Sequence, residues 1–528
     1  MNDPLALFPS GRPCPGDVRR FYNKGTEFNS AISLYDTVRM NENFYIGRQW
    51  EGIDSGGLPT PQFNILKRIV GFTVATVTTD NIKVTASPLK NTTSTASYVT
   101  ASQVINEEFE AIMERCQLSS LIREYARNAA VDGDGCMYVW WDATAETGQT
   151  AKGGIRTEIV DNTRVLFGNP NDRRVQSQPY IIITRRESLR SVKRRARDAG
   201  MEDWEDIRGE EEDNPAVDSV KASDSAVTVL LLLWRDEDSG NIFSYECCGE
   251  WEIKPPTDLG IRLYPLCWLN WDYVKDSYHG EAMITGLLPN QIFINKSWAM
   301  TMLSIMKSAF PKIIYDKTRI AGWDNGVGRA IGVNGGDMNS VARIMDPAVI
   351  SPQISEYINL AVDQTERCLG ASAAALGDVK PTNTSAIIAL QRAAATPNEI
   401  TKQNLYKSVE ELFRIYLEFM GTYYGVRQVE VKTPASLERA AEFGGVKAPD
   451  KLTVDFDFAA VRQHPVKLKL DVGASAYYSE IAAIQTVDNL LRGGKISTLQ
   501  YLERVPDDYI PARSALIEEL KAAGVRET

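Results

Sequence analysis

The 528-residue sequence is poor in the residue types on which many catalytic sites depend. Its two histidines, His279 and His464, lie far apart, which argues against a histidine-based catalytic triad or a multi-histidine metal site. No G-x-x-x-x-G-K-[ST] motif occurs, so a P-loop ATPase is excluded as an activity of this chain. The seven cysteines form no C-x-x-C pair, which argues against a disulfide framework or a zinc site and favours a reducing, intracellular assembly site.

Long apolar runs and an excess of positive charge are also missing. The longest strongly apolar run, Val227 to Trp234, is too short to cross a bilayer, and the N-terminus lacks the pattern of a signal peptide. The segment before Phe310 is long enough, but Lys296 and three amide side chains make it a poor membrane span, so no membrane is expected as a partner. A net charge of −11 argues against broad phosphate neutralisation, although it permits a protein past which DNA slides.

The most informative stretch, residues 284–425, contains three apolar-rich segments with helical spacing. The first, 289–310, is apolar on most sides, which is typical of a helix surrounded by other protein. A second helix is predicted over 352–369, after a Gly- and Asn-rich excursion. A small-residue loop then leads into a long helix that ends near residue 424 and should be kinked by Pro397.

The remaining chain predicts a mixture of helices and strands, an α+β fold that is mainly helical. Residues 1–25 are rich in Pro and Gly and predict a loose arm, followed by one amphipathic helix from Glu27 to Tyr45. A basic helix is expected over 187–199. The next stretch, 202–213, has eight acidic side chains and predicts a solvated surface insertion.

Two pairs of aspartates offer the only candidate metal chemistry. Asp132 and Asp134, in the sequence DGDG, could bind magnesium as paired carboxylates do in polymerases, but a tight turn between a helix and a strand is favoured. Asp455 and Asp457 alternate along a predicted strand and fit its solvent face. For His279, a hydrogen-bonded structural role is favoured. No cofactor is expected.

Several short motifs, in a fixed order, resemble those of a known family. They are YIGRQW (45–50), NILKRIV (64–70) leading to IKV (82–84), YHG (278–280), PNQ (289–291) with Asn295, LG (376–377) and TS (384–385). In this order and spacing the chain resembles the portal proteins of tailed bacteriophages, the head-to-tail connectors.

The resemblance implies a portal-type fold with wing, stem, clip and crown regions, assembled as a ring of twelve subunits around a central channel. The implied regions are an N-terminal arm (1–25), the wing (26–285, with the acidic insertion 202–213), the first stem helix (286–310), the clip (311–350), the second stem helix (351–370), the tunnel loop (371–385), the kinked spine helix (386–425), the wing return strands (426–469) and a helical crown (470–528).

The resemblance also implies roles for particular side chains. The DNA-facing tunnel-loop candidates are Asp378, Lys380, Thr382, Asn383 and Thr384. The channel-lining candidates are Lys296 and Lys307, for which a solvent-facing or salt-bridging position fits equally well. The subunit-contact candidates are Ser297, Thr301, Ser304 and Ser308, which share one helix face. The clip or partner-docking candidates are Lys312, Lys317 and Arg319, which also fit plain surface.

The implied function is a conduit for packaging and ejecting double-stranded DNA at one vertex of the virion, with assembly in the host cytoplasm. The implied partners are further copies of the chain, DNA bound without sequence specificity, the terminase large subunit, the major capsid protein, and head-tail adaptor or tail proteins. No enzyme activity is expected. The alternatives are another virion structural protein, such as a capsid or tail component, and a metal-dependent nucleic-acid enzyme that uses the paired aspartates.

Overall fold

The computed structural model of the chain describes residues 7–9, 11–78, 82–88, 95–148, 151–209, 226–309, 313–320, 322, 324, 331–337, 340–344, 352–368, 398–432, 451–462, 466–472, 487–505 and 516–517. Two compact units are present. Unit 1 comprises Met1–Asp36, Thr73–Ala282 and Pro381–Thr528, and unit 2 comprises Thr37–Phe72 and Met283–Lys380. Pro397, His464 and the implied tunnel loop lie outside the described residues, and the expectations for them stay predictions.

Helices and strands both contribute to the described structure. The helices are α1 (Pro15–Ala31), α2 (Leu34–Ile46), α3 (Ile65–Thr78), α4 (Thr95–Arg115), α5 (Leu118–Asp132), α6 (Leu189–Asp198), α7 (Leu288–Ala309), α8 (Pro352–Cys368), α9 (Glu399–Phe419), which continues as a π-helix (Met420–Tyr424), and α10 (Thr498–Arg504). The strands are β1 (Ile82–Pro88), β2 (Asp134–Asp142), β3 (Gly154–Ile159), β4 (Val165–Phe167), β5 (Tyr180–Ser188), β6 (Ala226–Arg235), β7 (Ile242–Cys248), β8 (Trp251–Asp258), β9 (Leu266–Asn270), β10 (Ile313–Tyr315), β11 (Ala342–Ile344), β12 (Val426–Lys432), β13 (Lys451–Asp457) and β14 (Val466–Val472). This mixture is compatible with the α+β expectation.

All paired strands are antiparallel. Unit 1 contains a five-stranded sheet in the order β4-β5-β6-β7-β8 and a three-stranded sheet in the order β3-β2-β9. Two further pairs in unit 1 are β1-β14 and β12-β13, and unit 2 contains the pair β10-β11.

The five-stranded sheet has a buried core on each face, which explains why its central strand β6 is almost continuously apolar. Leu232 on one face packs in a cluster with Phe8 and with Val18 of α1. On the other face, Val229 packs with Val192 and Ala196 of α6. The run from Val227 to Trp234 is therefore a strand covered by helices.

The expectation of a loose arm over residues 1–25 is wrong where the structure describes it. Helix α1 begins at Pro15, which occupies the first helical turn, and Val18 is fully buried. Likewise, the single helix expected from Glu27 to Tyr45 is two helices. The chain changes direction at Ser33, whose φ of +55° interrupts helical geometry. For the arm, Pro and Gly content was a poor guide because the apolar contacts of Val18 and Phe21 with the sheet override local preference.

The three-stranded sheet carries the DGDG sequence at one end. Helix α5 ends at Asp132, Gly133 has φ +96°, and β2 begins at Asp134, so the predicted helix-to-strand turn is confirmed. Helix α9 lies against β9, and the hydroxyl of Ser408 on α9 is 2.5 Å from that of Tyr125 on α5. Asp455 and Asp457 are exposed on β13, as predicted.

Candidate subunit interface

The start of α7 in unit 2 is held by a buried network of amide side chains. Asn295 donates a hydrogen bond from Nδ2 to Gln49 Oε1 at 2.8 Å, and Gln291 donates from Nε2 to Asn295 Oδ1 at 2.9 Å and to the Phe63 carbonyl at 2.7 Å. Asn64 donates from Nδ2 to the Tyr45 carbonyl at 2.9 Å. Buried amides stabilise a fold only when they are paired, so these bonds fix the backbone before α7.

The same network explains why three separate motifs of the sequence belong together. YIGRQW contributes Gln49, NILKRIV contributes Asn64, PNQ contributes Gln291, and Asn295 follows one turn later. Their polar side chains can lie among apolar residues because hydrogen-bond partners from distant parts of the chain satisfy them. These three motifs therefore describe one local structure of unit 2.

A groove lies between α7 and α8. Ser297, Thr301 and Ser304 line one wall, while Ile354, Tyr357 and Ile358 of α8 line the other, and its volume is about 290 Å³. Thr301 donates its hydroxyl to the Ser297 carbonyl at 2.9 Å, and Ser297 is buried. The small side chains thus let α8 of the same chain approach α7.

The helix pair exposes large apolar side chains, both along the groove and away from it. On α7, Phe293 is 54% exposed and Ile305 is 55% exposed, and on α8, Tyr357 is 66% exposed. The other exposed apolar residues of the pair are Met300, Met302, Met306, Ile354 and Leu360. With 3.6 residues per turn, Met302, Ile305 and Met306 lie on the sides of α7 that do not face the groove. We call these eight residues the apolar face.

Contiguous exposed apolar side chains of this kind mark surfaces that another protein covers. Because α7 has apolar residues on nearly all sides, α8 alone cannot bury them. No helix among the described residues combines the length and apolar character that a membrane crossing needs. The helix pair is therefore a candidate protein interface.

The structure places the remaining site candidates as follows. Lys296 and Lys307 are exposed on α7, and Ser308 is half-buried. Lys317 is exposed, whereas Arg319 lies 3.8 Å from Asp316 and donates a hydrogen bond to the Ser340 hydroxyl. The clip candidate Lys312 and the tunnel-loop candidates Asp378, Lys380, Thr382, Asn383 and Thr384 lie outside the described residues.

Unit 1 contains a second buried polar network, around Asp134. His279 Nδ1 lies 2.6 Å from Asp134 Oδ2, and His279 Nε2 lies 3.1 Å from Asn29 Oδ1. Asp134 Oδ1 accepts hydrogen bonds from the Gly280 N–H at 2.7 Å and from Asn270 Nδ2 at 2.8 Å. His279 is thus a hydrogen-bonded structural histidine, as predicted.

This geometry leaves the metal-enzyme alternative without support. Both oxygens of Asp134 already accept hydrogen bonds from buried donors, and the Asp132 carboxylate lies beside Arg127 at 4.0 Å. Asp455 and Asp457 stand on an exposed strand. Among the described residues, no group of three or more His, Cys, Asp or Glu side chains is arranged to hold a metal ion.

The described residues form a mixed helix-and-sheet protein, and α7 and α8 carry a candidate protein interface. Residues 247–431, about a third of the chain and including α7, α8 and α9, match the family model of phage P22-like portal proteins. This match supports the identification of the chain as a phage portal protein, a head-tail connector, and confirms the resemblance. No curated protein matches the chain.

The family that the match names has general properties. Such proteins are structural rather than enzymatic, and they are components of the virion capsid. The family suggests an oligomeric ring and interactions with the capsid and the terminase in general terms.

Proposed function

We propose that the chain assembles as a ring at one capsid vertex and serves as the conduit through which double-stranded DNA is packaged and ejected. The family match over 247–431 carries this proposal, and the apolar face supports it. Cyclic head-to-tail contact between identical copies covers such a surface without leaving sticky ends. A ring of twelve copies, as the resemblance implies, is part of the proposal.

The subunit contact is assigned to the apolar face. Ser297, Thr301 and Ser304 face α8 of the same chain, so their role is to bring the two helices together and to present the face. Met302, Ile305 and Met306 point away from this contact and supply the area that a neighbouring copy buries. Burial of one such side chain contributes roughly 1.5–3 kcal/mol.

Lys296 and Lys307 are proposed to line the channel, since both are exposed on α7 and would repeat around the ring. A conduit must touch DNA weakly, because each neutralised phosphate strengthens binding and slows movement. A chain with net charge −11 and only a few lysines along the channel would touch DNA weakly in this way. Residues 371–385 are proposed as the DNA-facing tunnel loop.

The other partners follow from the same role. Residues 311–350, with Lys312, Lys317 and Arg319, are proposed as the clip that docks the terminase large subunit and then the adaptor or tail proteins. The wing would meet the major capsid protein, and the ring would assemble in the host cytoplasm. The chain is proposed to act by shape, without a reaction of its own.

Electron microscopy of the purified chain tests the proposal. We expect rings with a central hole for the wild type and for the control Ile400→Glu, which alters a side chain that is 73% exposed on α9. Ile305→Glu should yield smaller species, because a carboxylate cannot be buried unpaired at a subunit contact. A compact wild-type monomer without a hole would overturn the ring, and stacked tubes or shells would favour a tail or capsid component. Normal rings from Ile305→Glu would overturn only the assigned contact.

A further inference from the structure

Helix α6 is the centre of the most basic stretch of this acidic chain. Between residues 185 and 197 there are seven arginines and lysines and a single acidic residue, Glu187. The helix packs against the five-stranded sheet through Val192 and Ala196, both fully buried. Its opposite side is consequently presented to solvent.

The cations of α6 fall into two groups. Those near the sheet have partners: Arg195 lies 3.1 Å from both Glu187 and Glu246, and Lys193 donates a hydrogen bond to the Glu205 carbonyl at 2.8 Å. Arg190 and Arg194, in contrast, are exposed and make no ion pair or hydrogen bond within the described ranges. Spaced four residues apart, they share one helix face. Arg197, which extends this face by another turn, pairs with Asp198 at 3.2 Å.

The position of Arg190 is electrostatically unfavourable in the isolated chain. It lies in the first turn of α6, where the positive end of the helix dipole disfavours cations, and this turn has no acidic residue. A cation held there, beside a second arginine that has no ion pair within the described ranges, gains from an anionic partner. Arginine is suited to phosphate and carboxylate, because its guanidinium donates paired hydrogen bonds.

We propose that the solvent face of α6, formed by Arg190, Arg194 and Arg197, binds the phosphate backbone of nucleic acid without reading its sequence. Protein partners normally bury a core of apolar or aromatic anchors, whereas this face contains none. It also lacks the Asn and Gln side chains that read bases. Phosphate contact needs only positioned cations. Helix α6 belongs to unit 1, whereas α7 and α8 belong to unit 2, and the proposed binding does not depend on ring formation.

Fluorescence anisotropy with a short labelled DNA duplex tests the proposal on the full chain. The double variant Arg190→Gln/Arg194→Gln should bind roughly tenfold to a hundredfold more weakly at low salt. Between about 50 and 200 mM salt, its log–log slope should be less steep by about 1.8, since each lost phosphate contact removes about 0.9. Arg190→Lys/Arg194→Lys keeps both charges and should retain most of the affinity.

The matched control is Arg123→Gln/Lys275→Gln, which makes the same change in net charge at two exposed positions elsewhere in unit 1. It should bind DNA as the wild type does. Unchanged binding by the Arg190/Arg194 glutamine variant, an equal loss in the control, or no rescue by lysine would overturn the proposal. Binding of polyglutamate in preference to DNA would also overturn it and would indicate an acidic protein partner. Circular dichroism melting of each variant checks that α6 remains folded.

Discussion

His279 and Asp134, 145 residues apart in the sequence, meet through a 2.6 Å contact between Nδ1 and Oδ2 in the interior of unit 1. The carboxylate also accepts hydrogen bonds from Gly280 and Asn270. One aspartate therefore joins the α5–β2 turn to the segment that follows β9. Burial of this charge is tolerated because several donors compensate for its lost hydration.

Removal of that carboxylate should be costly. Asp134→Ala leaves the donors of His279, Gly280 and Asn270 buried without an acceptor, and we expect a loss of about 3–5 kcal/mol in the free energy of unfolding. Urea denaturation measures it. Asp455→Ala, on exposed β13, is the control and should change stability by less than about 0.5 kcal/mol. Equal midpoints for the two variants would show that the network is not stabilising.

Gly280 is predicted to tolerate no side chain. A Cβ there would lie 2.6 Å from the Asp272 carbonyl oxygen, a backbone atom that cannot move aside alone. Gly280→Ala should therefore lower stability by about 1–3 kcal/mol. Gly286→Ala, whose Cβ would meet nothing within 4 Å, should be nearly neutral. Thermal unfolding distinguishes them, and indistinguishable melting temperatures would contradict the predicted clash.

Asn295 and its neighbour Lys296 make a third matched pair. Asn295→Ala removes the partner of Gln49 and Gln291 within a buried network, which should cost about 1–3 kcal/mol and loosen the first turns of α7. Lys296→Ala alters an exposed side chain and should leave stability unchanged. Limited proteolysis, read by mass spectrometry, should cut the Asn295 variant sooner near residue 288. Similar cleavage rates for both would count against the network.

Cys247 should be chemically inert in the folded chain. Burial raises the pKa of its thiol to about 12, with smaller contributions from Cys248 and Glu252, against an ordinary value of 9.0. An unfolded chain loses this proton above pH 9.0 while the folded chain keeps it, so the associated stability is present below pH 9.0 and is lost as the pH rises towards 12. Iodoacetamide near neutral pH should label half-buried Cys14 and spare Cys247. Equal labelling would contradict this.

Lys380→Ala tests the proposed tunnel loop. We expect the variant to form rings as the wild type does, because Lys380 is proposed to face DNA and the subunit contact is assigned to the apolar face. The amount of DNA packaged or retained in assembled particles should change. Particles with wild-type DNA content would contradict the proposal that Lys380 faces DNA in the channel.

Local patterns in the sequence predicted most elements of the fold, because periodicity and turn chemistry act over a few residues. The helices α7 and α8 and the turn at Gly133 are examples. Tertiary contacts were harder to foresee. The burial of Phe8 and α1 against the sheet depends on surfaces contributed by strands more than a hundred residues later.

At the candidate site, too, local patterns were predictable from the sequence and tertiary contacts were not. Hydroxyl spacing correctly placed Ser297, Thr301 and Ser304 on one face of α7, but spacing alone does not distinguish a helix of the same chain from one of a neighbour. The pairing of His279 with Asp134 was not predicted. The sequence did contain a signal for it, because both residues lie beside glycines in the motifs DGDG and YHG. Arg190 and Arg194 were recognised only as part of a basic helix, since identifying unpaired cations requires knowing where the carboxylates lie.

The apolar face has a chemical consequence for handling the protein. Three of its members, Met300, Met302 and Met306, are exposed thioethers, and oxidants convert such groups into polar, chiral sulfoxides. Peroxide accumulating in an ageing preparation would act on these side chains well before reaching the buried sheet of unit 1. Oxidative damage would then weaken the proposed association between copies while leaving each copy folded, and methionine sulfoxide reductases would restore it.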